Sequence, residues 1–390
     1  MTSLVNRILC RVSLGLITAA AVTTAAAQHS EIGPTTDAQV QSQNKTKIAL
    51  IVSPKGSVLS EAAAPIQQGI LAASREATAS GACELIQYEL SSPQDAGAVL
   101  KKAADDGAVL AIGPVSRDAV QTISEMPYLP LPVVAINRPS GETAPELFLS
   151  IDISAESEVE QLAKIAVENT AQKADLAANN FVILTTQDPY DERLARAMEA
   201  ALVKAGAGAE RRHISSDQIA YLRQEMRGKA FRGAFFAMNA QNASLLRPYL
   251  PPELPVFGTS YSNPMHQKDS MLAKTQSNDL NGMITLEIPA EENTSTLVAQ
   301  YKGERENLSL EELQMFSVGV DAWTLGTKWI DWARRIEVPD GLTGRLSFDK
   351  DSGSKVKREL VKTVVSPNKT GKASEEDLVQ FTESAEEAGL

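Results

Sequence analysis

The feature of the sequence that most restricts its fold is the alternation of short apolar runs with helical patterns. Runs such as those at 47–52 and 108–113 are rich in Val and Ile and too short to be core helices. Amphipathic helical patterns at 62–79 and 95–106 follow and separate them. Strands that are apolar on both faces belong to parallel sheets with helices on each side. The sequence therefore predicts an α/β protein with parallel sheets flanked by helices.

The alternation occurs in two successive arrays, which predicts two Rossmann-like lobes. The first array covers 47–152 and the second covers 153–262. The remaining material is too short for a third domain, so we expect it to complete both lobes. On this interpretation 263–337 belongs to the first lobe and 338–365 to the second, and the chain crosses the hinge several times.

The N-terminus has the pattern of a secretory signal peptide. Arg7 and Arg11 precede an apolar run at 12–22, and Ala25 and Ala27 provide the small residues of a cleavage site. The apolar run is about half of the ~20 residues that a membrane-spanning helix needs. We therefore predict a signal peptide at 1–27, export to the periplasm and no membrane span. An N-terminal anchor that is not cleaved is the alternative.

The two cysteines do not favour a lipid anchor or a disulfide. Cys10 precedes the apolar run, and Leu9 before it is not the small residue expected at a lipidation site. After cleavage Cys83 is the only remaining cysteine, so no intramolecular disulfide can form. Cys83 also has no histidine near it in the sequence, which predicts a buried structural thiol.

The composition argues against nucleic acid and anionic lipid as partners. The chain has a formal net charge of −12 and three histidines, and removal of the signal peptide deletes two arginines but no acid. Phosphate-rich partners require clustered Lys and Arg.

The two ends of the mature chain lack apolar periodicity. Polar residues at 28–46 predict a flexible leader, and the acidic end at 366–390 predicts a disordered tail.

Motifs of the common enzyme classes do not occur in the sequence. It has no G-x-S-x-G elbow, no phosphate-binding G-x-x-x-x-G-K-[ST] loop and no H-E-x-x-H helix. His213 and His266 are isolated in the sequence. Acids such as Asp188 and Asp321 have no second residue at the spacing of a known catalytic motif. We therefore expect no catalytic residue, no metal site and no cofactor.

Polar residues follow the predicted strands, where open α/β sheets bind their ligands. In a two-lobed protein these strand ends face a common cleft. The alternative is that they only cap the helices that follow. The candidates for a ligand cleft are Ser53, Lys55, Ser116, Asn137, Thr185, Gln187, Asp188, Tyr190, Asn239, Thr259 and Ser260.

Six segments stand out in the sequence: AVLAIGPVS, LPVVAINR, LLRPYLPPELPVFGTS, DLNG, SVGVDAWTL and GLTGRLSFD. They resemble the LppC/LpoA family of penicillin-binding protein activators, which has a type I periplasmic-binding-protein-like fold. The resemblance implies a regulator of peptidoglycan synthesis whose partner is a penicillin-binding protein. Fuller members of the family have a helical-repeat domain and a lipidated cysteine, so we expect a stand-alone module, free in the periplasm.

A periplasmic solute receptor for an amino-acid-like ligand, used in transport or sensing, is the alternative function. In that case Ser53, Ser116 and Thr185 would bind the carboxylate of the ligand, and Asp188 its ammonium group. Lys55 would add an unneutralised cation at the mouth of the cleft, and Pro54 lacks a backbone donor. These two features favour the non-catalytic regulator.

Overall fold

The computed structural model describes residues 45–367, except 142, 172–179, 216–218, 227–228, 268, 293–294 and 331–333, and the side chain at 220. The predicted signal peptide and nearly all of the predicted leader and tail lie outside the described residues. Among the described residues, no helix is both long enough and apolar enough to cross a membrane.

The first part of the chain forms five parallel strands with helices between them. The apolar residues of these strands are buried on both faces of the sheet, as in Leu110, Ile112 and Val134. The elements are β1 (Thr46–Val52), α1 (Val58–Ala79), β2 (Cys83–Glu89), α2 (Ala96–Asp105), β3 (Ala108–Ile112), α3 (Arg117–Ser124), β4 (Val133–Ile136) and β5 (Phe148–Ile151).

The second part repeats this arrangement in a separate sheet. Phe181, Phe235 and Phe257 stack at the centre of its core, with ring centroids 5.0–6.3 Å apart. The elements are α4 (Ala155–Asn169), β6 (Asn180–Thr185), α5 (Pro189–Lys204), β7 (Gly208–His213), α6 (Ile219–Met226), β8 (Ala234–Ala237), α7 (Ala240–Leu246), β9 (Val256–Gly258), α8 (Ser270–Asp279) and β10 (Ile284–Glu287).

The C-terminal part supplies both sheets. The first sheet has the order β11-β12-β13-β5-β4-β3-β1-β2, and the second has the order β14-β10-β9-β8-β6-β7. The chain therefore passes between the lobes after β5, after β10 and after β13. The elements are α9 (Lys302–Arg305), α10 (Leu310–Trp329), β11 (Arg335–Gly341), β12 (Gly344–Asp349), β13 (Lys355–Glu359) and β14 (Val361–Val364).

This distribution differs from the sequence expectation for the C-terminal part. Strand β10 was expected in the first lobe but lies in the second sheet, parallel to β9. The expected boundary between residues 337 and 338 cuts through β11, which forms an antiparallel hairpin with β12. Because a tight hairpin keeps its two strands in one sheet, β11 and β12 both join the first lobe. Of the stretch 338–365, only β14 pairs with the second sheet.

Helix α10 is held on the first lobe by direct backbone contact with α1. A Cβ atom on Gly69 would lie 2.0 Å from the carbonyl oxygen of Phe316, and one on Gly319 would lie 2.0 Å from that of Ile66. The two glycines therefore permit a helix crossing that any side chain would prevent. Around this crossing, Ile70 and other apolar residues of α1 and α10 are buried in one core.

Apolar clusters cover both faces of each sheet. Cys83 is buried in the first of them, as predicted. A smaller cluster with Ile288, Phe316 and Leu342 lies where the chain passes from one lobe to the other. The hinge region is therefore packed as well as connected.

Candidate functional site

In the first lobe, the predicted cleft residues mostly form hydrogen bonds within their own turns. Ser116 caps α3 by accepting a hydrogen bond from the backbone N–H of Ala119 at 3.4 Å. The side chain of Asn137 donates to the carbonyl oxygen of Val115 at 3.1 Å and accepts from the N–H of Arg138 at 2.8 Å. Since β3 and β4 are adjacent and parallel, their carboxyl ends bring these two turns together. Ser53 is half-buried at the end of β1, and Lys55 is exposed.

In the second lobe, the structure groups three of the predicted residues around Tyr261. The rings of Tyr190 and Tyr261 meet edge to face with centroids 4.9 Å apart. Asn239 makes a side-chain hydrogen bond with Tyr261 and also caps α7. Asp188 caps α5, accepting from the N–H of Tyr190 at 2.8 Å. The sequence analysis did not identify Tyr261, because its contacts come from separate strand ends.

The other predicted residues of this lobe differ in how far they are exposed to solvent. Thr185 and Thr259 are fully buried, whereas Gln187 is exposed. Ser260 binds the buried carboxylate of Glu158, with its N–H at 2.5 Å and its hydroxyl at 2.9 Å. Burial raises the pKa of Glu158 to about 7, against the hydrogen bonds from Ser260. Ser260 therefore joins a buried acidic cluster instead of an open cleft edge.

His266, Glu287 and Glu291 form the centre of this buried cluster. The Nε2 atom of His266 lies 3.1 Å from an oxygen of Glu287 and 3.6 Å from an oxygen of Glu291. Asn263 donates a hydrogen bond to Glu287. Both carboxylates are almost fully buried, with side-chain exposures of 2% and 7%.

His266 is isolated in the sequence but not in the fold, where it lies with Glu287 and Glu291 in a group of side chains that could hold a metal ion. His266 lies 21 residues before Glu287 in the sequence, so no local motif connects it with the two glutamates. The three residues converge because β9 and β10 are neighbouring parallel strands and the segments that follow the two strands leave the same edge of the sheet.

The pKa values of the three groups are shifted by burial and by mutual charge. Burial and the neighbouring carboxylate of Glu287 raise the pKa of Glu291. Burial also favours the neutral form of Glu287, but the charge of His266 and its hydrogen bond hold the pKa of Glu287 below its ordinary value. For His266, burial acts in the opposite direction, yet Glu287 raises its pKa.

A groove of about 400 Å³ lies between the lobes, next to the first hinge crossing. Its first-lobe wall includes Arg117 and Arg138, and its second-lobe wall includes Glu156, Glu160 and Lys204. The groove is thus lined by charges of both signs. The predicted cleft residues are not part of this lining, so their ligand role stays a prediction.

The fold matches several solved structures over most of its length. A "putative branched-chain amino acid ABC transporter" from Chromobacterium violaceum aligns with a TM-score of 0.66 and 23% identity, covering 82% of this chain and 100% of that chain. The C-domain of LpoA from Haemophilus influenzae, described as a regulator of PBP1A, aligns with a TM-score of 0.62 and 17% identity, covering 82% and 98%. These likenesses establish a type I periplasmic-binding-protein-like fold.

Full-length LpoA from Haemophilus influenzae aligns with a TM-score of 0.63 and 18% identity over 83% of this chain. The chain spans only 58% of that protein. No curated protein sequence matches the chain. A family model described as "LppC putative lipoprotein" matches residues 18–213, half of the sequence. Two of the segments that resembled this family, AVLAIGPVS and LPVVAINR, lie within the matched residues, and the chain belongs to the LppC family.

Proposed function

We propose that this protein is a non-catalytic regulator that acts in the periplasm on a penicillin-binding protein engaged in peptidoglycan synthesis. The observation that carries the proposal is its membership of the LppC family, together with a fold that spans nearly all of the LpoA C-domain. That LpoA is described as a regulator of PBP1A. By this likeness, the partner of the present chain is a synthase of the same class.

The local hydrogen bonding supports a role for the protein surface over ligand capture in a cleft. Ser116, Asp188 and Asn239 cap their own helices, and Ser260 is bonded to Glu158. A receptor for amino acids would need such groups to point at the ligand with their hydrogen bonds available. In this protein the side-chain oxygens of Ser116, Asp188 and Asn239 already accept hydrogen bonds from backbone N–H groups.

The test is a reconstituted synthesis assay with the mature protein and a purified penicillin-binding protein from the same organism. We expect direct binding of the two proteins and an increase in glycan polymerisation or peptide cross-linking. Asp188→Asn serves as a matched variant, because asparagine keeps the helix cap but removes the charge that an ammonium ligand needs. The regulator proposal expects this variant to stimulate the synthase as well as the unchanged protein does.

The receptor is the second candidate, and the groove between the lobes is the observation that favours it. A thermal-shift screen of single amino acids and muropeptides, run on the same preparations, separates the two functions. Stabilisation by one amino acid, without synthase binding, would replace the regulator proposal. Synthase binding with unchanged melting in every amino acid would support it.

A further inference from the structure

We propose that His266, Glu287 and Glu291 form a binding site for one divalent transition-metal ion, for which zinc is the best fit. The three potential ligand atoms all lie within 4.8 Å of one another. One imidazole and two carboxylates are a donor set that zinc accepts in proteins, with water in the remaining position. This inference goes beyond the proposed function and does not depend on it.

The backbone brings the three side chains together from fixed turns. His266 ends a short 3-10 turn, Pro264–His266, and its N–H donates to the carbonyl oxygen of Asn263 at 3.2 Å. Glu287 is the last residue of β10, and Glu291 lies in the turn that follows, where its N–H donates to Ile288 at 3.0 Å. The ligands are thus positioned by hydrogen-bonded backbone, as a preformed site requires.

The distances between the potential ligand atoms suit a tetrahedral ion. Zinc binds nitrogen and oxygen at about 2.0–2.2 Å, so two ligands at a tetrahedral angle lie about 3.3–3.6 Å apart. The Nε2 atom of His266 is 3.1 Å from Glu287 and 3.6 Å from Glu291. A small adjustment of the side chains would therefore place all three around one ion.

One oxygen of Glu291 is buried without a hydrogen bond, next to the oxygen that lies 3.6 Å from His266. Oxygen Oε1 of Glu291 has no hydrogen bond, although the side chain is only 7% exposed. A buried carboxylate oxygen without a partner is costly, and a bound cation would satisfy it. A doubly charged ion would also neutralise the two adjacent carboxylates, of which Glu287 is the more deeply buried.

The surroundings would orient the ligands and connect the ion to both lobes. Asn263 donates to the second oxygen of Glu287, as outer-shell partners of metal sites do. Glu291 interacts with Gln314 of α10, which packs on the first lobe. Next to it, the N–H of Ala290 donates to Leu342 in the β11–β12 hairpin at 3.1 Å. An ion here would join the second-lobe sheet to the segment that crosses to the first lobe.

The test uses the untagged mature protein, stripped with a chelator and titrated with zinc by isothermal calorimetry. We expect one zinc per chain, by calorimetry and by elemental analysis after gel filtration, and a higher melting temperature with zinc. Calcium and magnesium at the same concentration should have little effect, because they prefer sites made only of oxygen. His266→Gln should weaken zinc binding by at least about 100-fold.

His213→Gln is the matched control. The Nε2 atom of His213 also lies 3.1 Å from a carboxylate, that of Glu192, but its side chain is 51% exposed. This variant should bind zinc as the unchanged protein does. Glu291→Gln, which keeps the side-chain volume, provides a second ligand variant if His266→Gln does not fold. Absence of stoichiometric zinc, or equal affinity in His266→Gln and His213→Gln, would overturn the proposal.

Discussion

The carboxylate of Asp321 in α10 binds Thr343 in the β11–β12 hairpin twice. It accepts hydrogen bonds from the N–H of Thr343 at 2.8 Å and from its hydroxyl at 2.6 Å, and a third from the N–H of Leu342 at 2.9 Å. Gly341 makes room for this contact, because a Cβ there would lie 3.2 Å from the carboxylate and 2.5 Å from the carbonyl oxygen of Gly344. Two segments that the sequence analysis singled out, SVGVDAWTL and GLTGRLSFD, are thus joined by one buried group.

The first prediction concerns the pH dependence of stability that Asp321 causes. Burial raises the pKa of Asp321 to about 6, above a value of about 3.9 in the unfolded chain. The folded state therefore holds this proton more tightly, and the resulting stability is present below about pH 4 and lost as the pH rises through 6. The free energy of unfolding, measured by urea titration, should therefore decrease by up to about 3 kcal/mol between pH 4 and pH 7 because of Asp321. Asp321→Asn should abolish this part of the decrease.

The same variant should be less stable than the unchanged protein at every pH, because an asparagine amide cannot accept the hydrogen bonds that both carboxylate oxygens receive. Equal slopes of unfolding free energy between pH 4 and pH 7 in the two proteins would contradict the assignment to Asp321.

The second prediction tests the contact between α1 and α10. Gly319→Ala should lower the free energy of unfolding by about 2–3 kcal/mol, because the new methyl group would meet the backbone of Ile66 and force the helices apart. Gly303→Ala in α9 is the control, since a Cβ there meets nothing within 4 Å. The control should be neutral or slightly stabilising. Thermal or urea unfolding of both variants measures the difference.

The third prediction concerns Arg358, which is partly buried in β13 just before the last crossing. It lies in the field of Asp152, Glu158 and Asp321, which come from three different parts of the chain. Arg358→Met should reduce stability by about 1–3 kcal/mol at pH 7, because it removes a cation that these three carboxylates share.

The loss in Arg358→Met should be smaller at pH 4, where more of the carboxylates are protonated. Arg345→Met serves as the control, since Arg345 lies in the neighbouring β12 but is exposed. Melting curves at the two pH values measure both variants, and an equal loss at pH 4 and pH 7 would count against this electrostatic role.

The fourth prediction concerns export. Intact-mass measurement of the protein from the periplasmic fraction should give a chain that begins at Gln28, without the added mass of acyl groups. An acylated cysteine, or a chain that keeps the apolar run at 12–22, would show an anchored protein instead. Replacing Ala27 with a bulky residue such as Phe should slow the processing, because the cleavage site accepts small residues.

The sequence predicted elements well where the signal is local. The apolar run at 47–52 lies in β1, Thr46–Val52, and the run at 108–113 contains β3, Ala108–Ile112. Such strands are buried on both faces, and their apolar runs mark them without knowledge of their neighbours.

What the sequence could not supply was the pairing of distant segments. The sheet that β10 joins depends on its contact with β9, and no pattern within β10 itself encodes that choice. The same reason applies to the site: His266 and Glu291 become neighbours only through two adjacent strand ends. The capping roles of Ser116 and Asp188 could be predicted, since they depend on the next few residues alone.

The three crossings between the lobes also affect how the chain can fold as it is made. Strand β13 pairs with β5, with Val356 opposite Ile151, so the first sheet stays open at β5 until the whole second array has been synthesised. An unpaired strand edge readily adds a strand from another chain. The newly made first lobe is therefore the part of this protein most exposed to misassembly, and a helper that covers β5 would protect it until β13 arrives.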